Sequence, residues 1–273
     1  MKAAVSLASF RGELEKEKLD AYILVTYDAH ASEYPAARFK RVAALSGFGG
    51  SMGTVVVTRE RALLFCDPRY WEEAANTMAE GFELVKEGGL DCMTHKTWLR
   101  QHLAKGALLG FDPEQFSVEK AEALRAELAQ AHLTPVEGNL VDRLWSAQPP
   151  LSARGCWPHP ERLAGESAAQ KLARLRAELA TRRCTAAVLS ALDQSMWLLN
   201  LRGADSYESP VVYCFTLVTA ATAKVYILDW KRVPQEVTES VPLFCILSPR
   251  RRQLHISGPL ASWWTRTSSF TAI

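Results

Sequence analysis

The chain has 273 residues, 48% of them hydrophobic and 23% charged, with a formal net charge of +2 and six scattered cysteines. That balance excludes a disordered polyelectrolyte, a membrane span, and a field strong enough to recruit nucleic acid or anionic lipid. The length suits two domains of ordinary size.

The start, "MKAAVSLASFRGELEKEK", has one lysine, Lys2, ahead of a short apolar run that Arg11 and Glu13 interrupt, so no secretory leader is expected. The cysteines contain no C-x-x-C pair and read as reduced thiols, which places the chain in the cytoplasm. "FRGELEKEKLDAYILVTYD" spaces leucines at helical period among charges and then turns apolar, predicting helix, strand and an acidic turn at Asp28. "SEYPAARFKRVAALSG" reads as a second helix stopped by Gly47, a C-cap position that wants positive φ. "TVVVT" and "ALLFCD", joined by "RER", form a hairpin ending at Asp67. Helix "WEEAANTMAE", strand "FELVKEG", helix "THKTWLRQHLA", strand "ALLGFD", helix "VEKAEALRAELAQA" and a last strand near "LTPVEGNLVDRLW" complete an α/β domain over 1–146.

A proline-rich linker follows, residues 147–167. The same order of signals then returns over 168–247: helix and strand in "KLARLRAELATRRCTAAVLSALD" with Asp193, helix "QSMWLLNLRG" stopped by Gly203, and the hairpin "PVVYCFTLVT", "AAT", "AKVYILD" ending at Asp229. An internal repeat of two similar domains, each a mixed β-sheet flanked by helices, is the fold expected. Trp197 and the Leu198–Leu201 run lie at core spacing. The tail 248–273 is atypical: it holds four arginines and the adjacent Trp263 and Trp264, has no single-faced period, and reads as a truncated or altered end.

"SGFGGSMGTVVVT" packs four glycines into eight residues, yet it follows a helix and precedes a strand. A phosphate cradle needs the reverse order, so that amides and helix dipole face the anion; here the glycines read as backbone architecture. Asp28, His30 and Glu33 form D-x-H-x-x-E, with His30 and Glu33 one turn apart on a helical face; N-capping by Asp28 and surface hydrogen bonding are expected rather than a metal site. Cys92 with His95 and Cys156 with His159 are C-x-x-H pairs too far apart in sequence to favour a shared zinc.

"DAHASEY", "SGFGGSMGTVVVT", "CDPRYW", "NLVDRLW" and "ALDQSMWLLNLRG" followed by "SPVVY" resemble, in that order, the amino-terminal half of cytosolic aminopeptidase P, the metallopeptidase that removes an N-terminal residue preceding proline. The resemblance runs from about Leu14 to Val237. It implies two creatinase N-terminal-like domains that support homodimerisation and narrow access to the active site, and a third domain of pita-bread fold that binds two manganese ions. The implied metal ligands all belong to that third domain, and after Glu239 the sequence has no Asp or Glu and only His255, so this chain by itself is expected to lack catalytic residues and metal ligands and not to hydrolyse peptides. The family motif Asp-Gly-Arg-Tyr implies a peptide-contacting arginine, here Arg69, with Pro68 in place of the glycine; an ordinary ion pair with Asp67 or Glu72 is the other reading. An alternative to the peptidase half is a free-standing peptide- or protein-binding module on the same fold. A prolidase or creatinase relative is a third idea, which the repeat disfavours.

Overall fold

A computed structural model describes residues 3–90, 92–241 and 245–249, the last of these as backbone. The chain divides between Pro150 and Leu151 into two compact units.

The first unit runs α1 (Leu7–Lys16), β1 (Ala21–Val25), α2 (Arg41–Ser46), β2 (Thr54–Thr58), β3 (Ala62–Cys66), α3 (Trp71–Thr77), β4 (Glu83–Lys86), α4 (His95–His102), β5 (Leu108–Phe111), α5 (Val118–Glu127), β6 (His132–Pro135) and α6 (Leu140–Leu144). Its strands form one six-stranded sheet in the order β4-β3-β2-β1-β5-β6. β2 pairs antiparallel with both β1 and β3, while β3–β4, β1–β5 and β5–β6 are parallel. The period of two sends alternate residues to opposite faces. Tyr22, Leu24, Val55, Val57 and Leu64 meet Phe10, Leu14, Leu45 and Leu140 on one side; Ile23, Val56, Leu63 and Phe65 meet Trp98, Leu99 and Leu124 on the other. Ser6, Thr94, Ser117 and Asn139 cap α1, α4, α5 and α6 through their side-chain oxygens.

The second unit runs β7 (Cys156–Pro158), α7 (Glu161–Ala164), α8 (Ala168–Thr181), β8 (Ala186–Leu189), α9 (Leu192–Leu199), β9 (Leu201–Gly203), β10 (Cys214–Thr219), β11 (Ala223–Ile227), α10 (Gln235–Ser240) and β12 (Cys245–Pro249). Its main sheet has the order β12-β11-β10-β8, and β7 pairs with β9 separately. β8–β10 and β10–β11 are antiparallel and β11–β12 is parallel. Strand for strand this repeats the β4-β3-β2-β1 half of the first sheet in order and direction.

Several local expectations change. The stretch from Ser32 to Lys40 is a loop with a 3-10 turn at Ala37–Phe39, and only Arg41–Ser46 is α-helical; Pro35 disfavours a helical Tyr34, so the helix cannot start upstream. Gly47 does cap α2 with φ 79°, but α9 ends on Asn200 at φ 51°. Gly203 lies instead in β9, where its N–H donates to Pro210 O at 3.0 Å and a Cβ would sit 2.1 Å from Val212 Cγ2. That close approach also explains why the hairpin strand begins at Cys214 rather than Pro210: the preceding residues pack back on β9. "LTPVEGNLVDRLW" supplies β6 and then the helix α6, and the proline-rich segment contains β7 and α7. Beyond residue 249 the basic tail lies outside the described residues.

Candidate functional site

The glycine-rich loop, the Asp28 loop and the turn after β3 come together at one end of the first sheet. Asp67 ends the strand and caps a 3-10 turn, Pro68–Tyr70, by accepting the Arg69 N–H at 3.0 Å. Proline sits at the first position of that turn, where its fixed φ fits. Arg69 folds back on the same carboxylate, donating from Nε to Oδ1 at 3.0 Å and from Nη2 to Oδ2 at 2.7 Å. Its guanidinium lies 5.1 Å from the centre of the Tyr70 ring, and its side chain is 60% exposed. The pair raises the Arg69 guanidinium and holds the Asp67 carboxyl below the usual carboxylate range, chiefly through the Arg69 hydrogen bond. Because the fork closes on Nε and Nη2, the far side of the planar group is left to a second acceptor such as a carboxylate or carbonyl.

Tyr70 links this arginine to the loop. Its hydroxyl is 2.8 Å from Ser51 Oγ, which lies 3.4 Å from Glu33 Oε1. Its ring meets Phe48 edge-on at 5.7 Å. Glu33 also pushes the exposed Tyr34 phenol up, first through a hydrogen bond and then through its charge. Phe48 is buried, and a Cβ on Gly50 or Gly53 would lie 2.3 or 2.8 Å from its ring. The loop glycines therefore make room for an aromatic plug. Sequence reading found Arg69 but not the Tyr70, Ser51 and Glu33 support, because that contact joins residues far apart in the chain and no motif spans them.

The D-x-H-x-x-E residues do not share a helix. Asp28 and His30 are buried in the loop after β1, where Asp28 Oδ1 accepts the N–H groups of His30 at 2.9 Å and Ser32 at 3.0 Å. The carboxylate thus shapes a turn rather than capping a helix. His95 Nδ1 is 3.0 Å from Glu87 Oε1. Cys156 is buried and its thiol is pushed up to about 11 by that burial. Cys66, Cys156 and Cys214 are buried, while Cys184 is exposed. Among the described residues no group of three or more His, Cys, Asp or Glu is placed to hold a metal ion. With the Asp28 oxygen already spent on backbone N–H groups, these residues do not fit the two-manganese centre that the resemblance implies. Among the described residues no helix is long and apolar enough to cross a membrane. Trp197 is half exposed, contrary to a core placement, with Lys171 Nζ 4.7 Å and Arg174 Cζ 5.6 Å from its ring, while Leu198, Leu199 and Leu201 are buried.

The second unit repeats the turn with a different outcome. After β11, Asp229 precedes the 3-10 turn Trp230–Arg232. There Arg232 donates to Asp229 Oδ2 at 3.0 Å, to Asp205 Oδ1 at 2.7 Å and to Ser152 O, and its side chain is 14% exposed. One arginine of the repeat is locked into structure; the other faces solvent.

Two family models, each described as a creatinase/prolidase N-terminal domain, match the chain, one at residues 7–144 and the other at residues 147–248. Similar proteins include a probable Xaa-Pro aminopeptidase P from Podospora anserina, 38% identical over 82% of this chain and 34% of its own length. Xaa-Pro aminopeptidase 2 from Rattus norvegicus is 36% identical over 81% of this chain and 33% of its own. A crystal structure of the X-prolyl aminopeptidase from Caenorhabditis elegans, described as a cytosolic enzyme with a di-nuclear active site, superimposes with a TM-score of 0.84 at 32% identity, covering 89% of this chain and 42% of that one. The chain spans about a third of the length of these two sequence relatives. Two matches in tandem, on two sheets that share a four-strand order, place the chain in the creatinase/prolidase N-terminal domain family.

Proposed function

We propose that the two units are the non-catalytic N-terminal part of an aminopeptidase P-type metallopeptidase acting on X-Pro peptides, and that Arg69 contacts the peptide at the mouth of its active site. The observation that carries this reading is the likeness of both units, in order, to the C. elegans X-prolyl aminopeptidase. On this reading the units wall off the cleft, admitting peptide ends and excluding folded chains, and support a cytoplasmic homodimer. On this reading the metal ligands lie outside the two units. What this chain supplies is positioning: Asp67 and Tyr70 fix the Arg69 guanidinium, whose outer side receives a peptide carbonyl or carboxylate.

The test is incubation of the purified chain with an Arg-Pro-Pro peptide and manganese(II). No release of the N-terminal residue is expected; release that scales with the chain and survives further purification overturns the assignment. In a chimera carrying residues 7–248 in place of the matching region of the C. elegans enzyme, Arg69→Ala is expected to raise KM for X-Pro peptides. The exposed Arg69 also favours a second reading, a module that binds peptides without cleaving them; peptide binding by the isolated chain that Arg69→Ala abolishes would select it.

A further inference from the structure

In the second unit, cations and exposed tryptophans gather around the end of α9, and the Arg69 reading uses none of them. α9 stops at Asn200 in the left-handed conformation, and two cations meet its carbonyl end. Lys171 Nζ donates to Trp197 O at 2.9 Å and to Asn200 Oδ1 at 2.7 Å. Arg202 Nη1 donates to Leu201 O at 2.7 Å and lies 3.5 Å from Met196 O. A helix end carries about half a negative charge, so two full cations exceed what capping requires.

The excess grows outwards. Arg174 joins Lys171 against the Trp197 ring, and Arg154 lies 5.7 Å from the centre of the Trp157 ring. Trp157 stands opposite Arg202 across β7 and β9, so the two side chains share one face of that ribbon. His159 joins the ribbon to the helix end, its N–H donating to Asn200 O at 2.7 Å. Partial desolvation, then the charges of Arg202 and Lys171, hold its imidazole below the usual histidine range. Glu166 answers Arg174 at 3.0 Å, which leaves the group positive. Trp157 and Trp197 are 36% and 49% exposed. Tryptophan and arginine side by side at the surface are the residue types that anchor protein interfaces.

We propose that this face docks an acidic stretch of polypeptide, with its carboxylates on Arg154, Arg174 and Arg202 and its apolar stems on the Trp157 and Trp197 rings. Charge complementarity selects the occupant, because a carboxylate matches the guanidinium fork. Single-stranded nucleic acid fits less well: bases need open ring faces, whereas Lys171 and Arg174 already lie against Trp197, and the chain's net charge is only +2. The inference rests on the second unit and is independent of Arg69.

Fluorescein-labelled hexaglutamate, titrated with the whole chain at low salt and followed by anisotropy, decides it. Saturable binding is expected, with none for hexalysine. Replacing both exposed arginines, Arg154→Ser with Arg174→Ser, should weaken it about tenfold, a few-fold for each exposed ion pair lost. Arg69→Ala should leave it unchanged. If the double variant does not fold, hydrogen exchange on the unmodified chain still decides, since hexaglutamate should protect amides within 154–159 and 197–203. No saturable binding, affinity that the double substitution leaves intact, loss on Arg69→Ala, or a footprint elsewhere, the basic tail 248–273 included, each overturns the proposal. So does tighter binding of a thymidine dodecamer through the same arginines, which would make the face a nucleic-acid surface.

Discussion

Replacing Gly50 by Ala tests what the glycine-rich loop is for. A Cβ there would lie 2.3 Å from Phe48 Cζ and 2.8 Å from both Phe48 Cε2 and Tyr70 Cδ1. Ordinary carbon contact is about 3.5 Å, so a ring must withdraw by about 1.2 Å. The larger clash is with Phe48, which is 1% exposed and can withdraw only if the half-buried Tyr70 ring packed edge-on against it gives way. Overpacking costs about 1–3 kcal/mol, and moving Tyr70 off Ser51 forfeits a hydrogen bond worth about 1 kcal/mol. We expect Gly50→Ala to lose about 3 kcal/mol and, for a unit of this size, to melt about 6–12 °C lower. Gly49→Ala is the control: its Cβ meets only Glu73 Oε1 at 3.2 Å, the end of an exposed side chain that can swing away, so it should change stability by less than about 0.5 kcal/mol. Urea denaturation of both variants reads the difference. Equal stabilities, or a phosphate-induced rise in melting temperature that Gly50→Ala removes, would refute the packing argument and restore an anion-binding role.

Other consequences follow from the same geometry. Arg41 is buried and gives two hydrogen bonds to Asp142, at 2.9 and 2.7 Å, tying α2 to α6. Asp142→Asn leaves that cation without its counter-charge and should cost about 3 kcal/mol, the low end for a broken buried pair because Asp142 is partly open to water; an unchanged urea midpoint would contradict this. Gly203→Ala sets a Cβ 2.1 Å from Val212 Cγ2 and 2.9 Å from the Val211 carbonyl, which is backbone, and should lower the melting temperature of the second unit by the equivalent of about 3 kcal/mol. Glu13, hydrogen-bonded first to Lys16 and also to Arg143, and Asp67, bonded to Arg69, both have depressed carboxyl values. Such groups stabilise the fold above their unfolded values, near pH 4, and lose that contribution as pH falls through the folded ones. The urea midpoint should therefore drop below about pH 4, with a shallower slope in Glu13→Gln; an identical slope in that variant would remove Glu13 from the account.

Much of the sheet was legible because hydrophobic period and turn chemistry are local. "TVVVT" is β2 to the residue, and both hairpins close at the turns their sequences announce. The repeat was legible for the same reason, as two runs of equal local signals. What escaped depends on contacts across the chain. Gly203 looks like a helix stop, yet Asn200 takes the left-handed position and Gly203 is spent on the approach of Val212. His30 and Glu33 have helical spacing, but Pro35 and the Asp28 turn keep that segment a loop. At the site, Arg69 stood out by motif, whereas its support from Tyr70, Ser51 and Glu33 exists only once β1, β2 and β3 are side by side.

The repeat offers a comparison for Arg69, with the two arginines one position apart: Arg69 is two residues after Asp67 and Arg232 three after Asp229, Lys231 standing at the position of Arg69. Both units make the same strand, acid and 3-10 turn, and both set an arginine against that acid. In the second unit Asp205 and Ser152 add further acceptors, and Arg232 becomes a buried tie between segments. In the first unit Arg69 has its one carboxylate and a tyrosine face, and more than half of its side chain stays in water. A purely structural arginine in this turn has a design at hand, the one Arg232 uses. Keeping Arg69 outside forgoes that stability, since an exposed pair contributes little. The copies therefore differ in exposure: one turn ties segments of its unit together, and the other leaves its guanidinium largely in water at the end of the sheet.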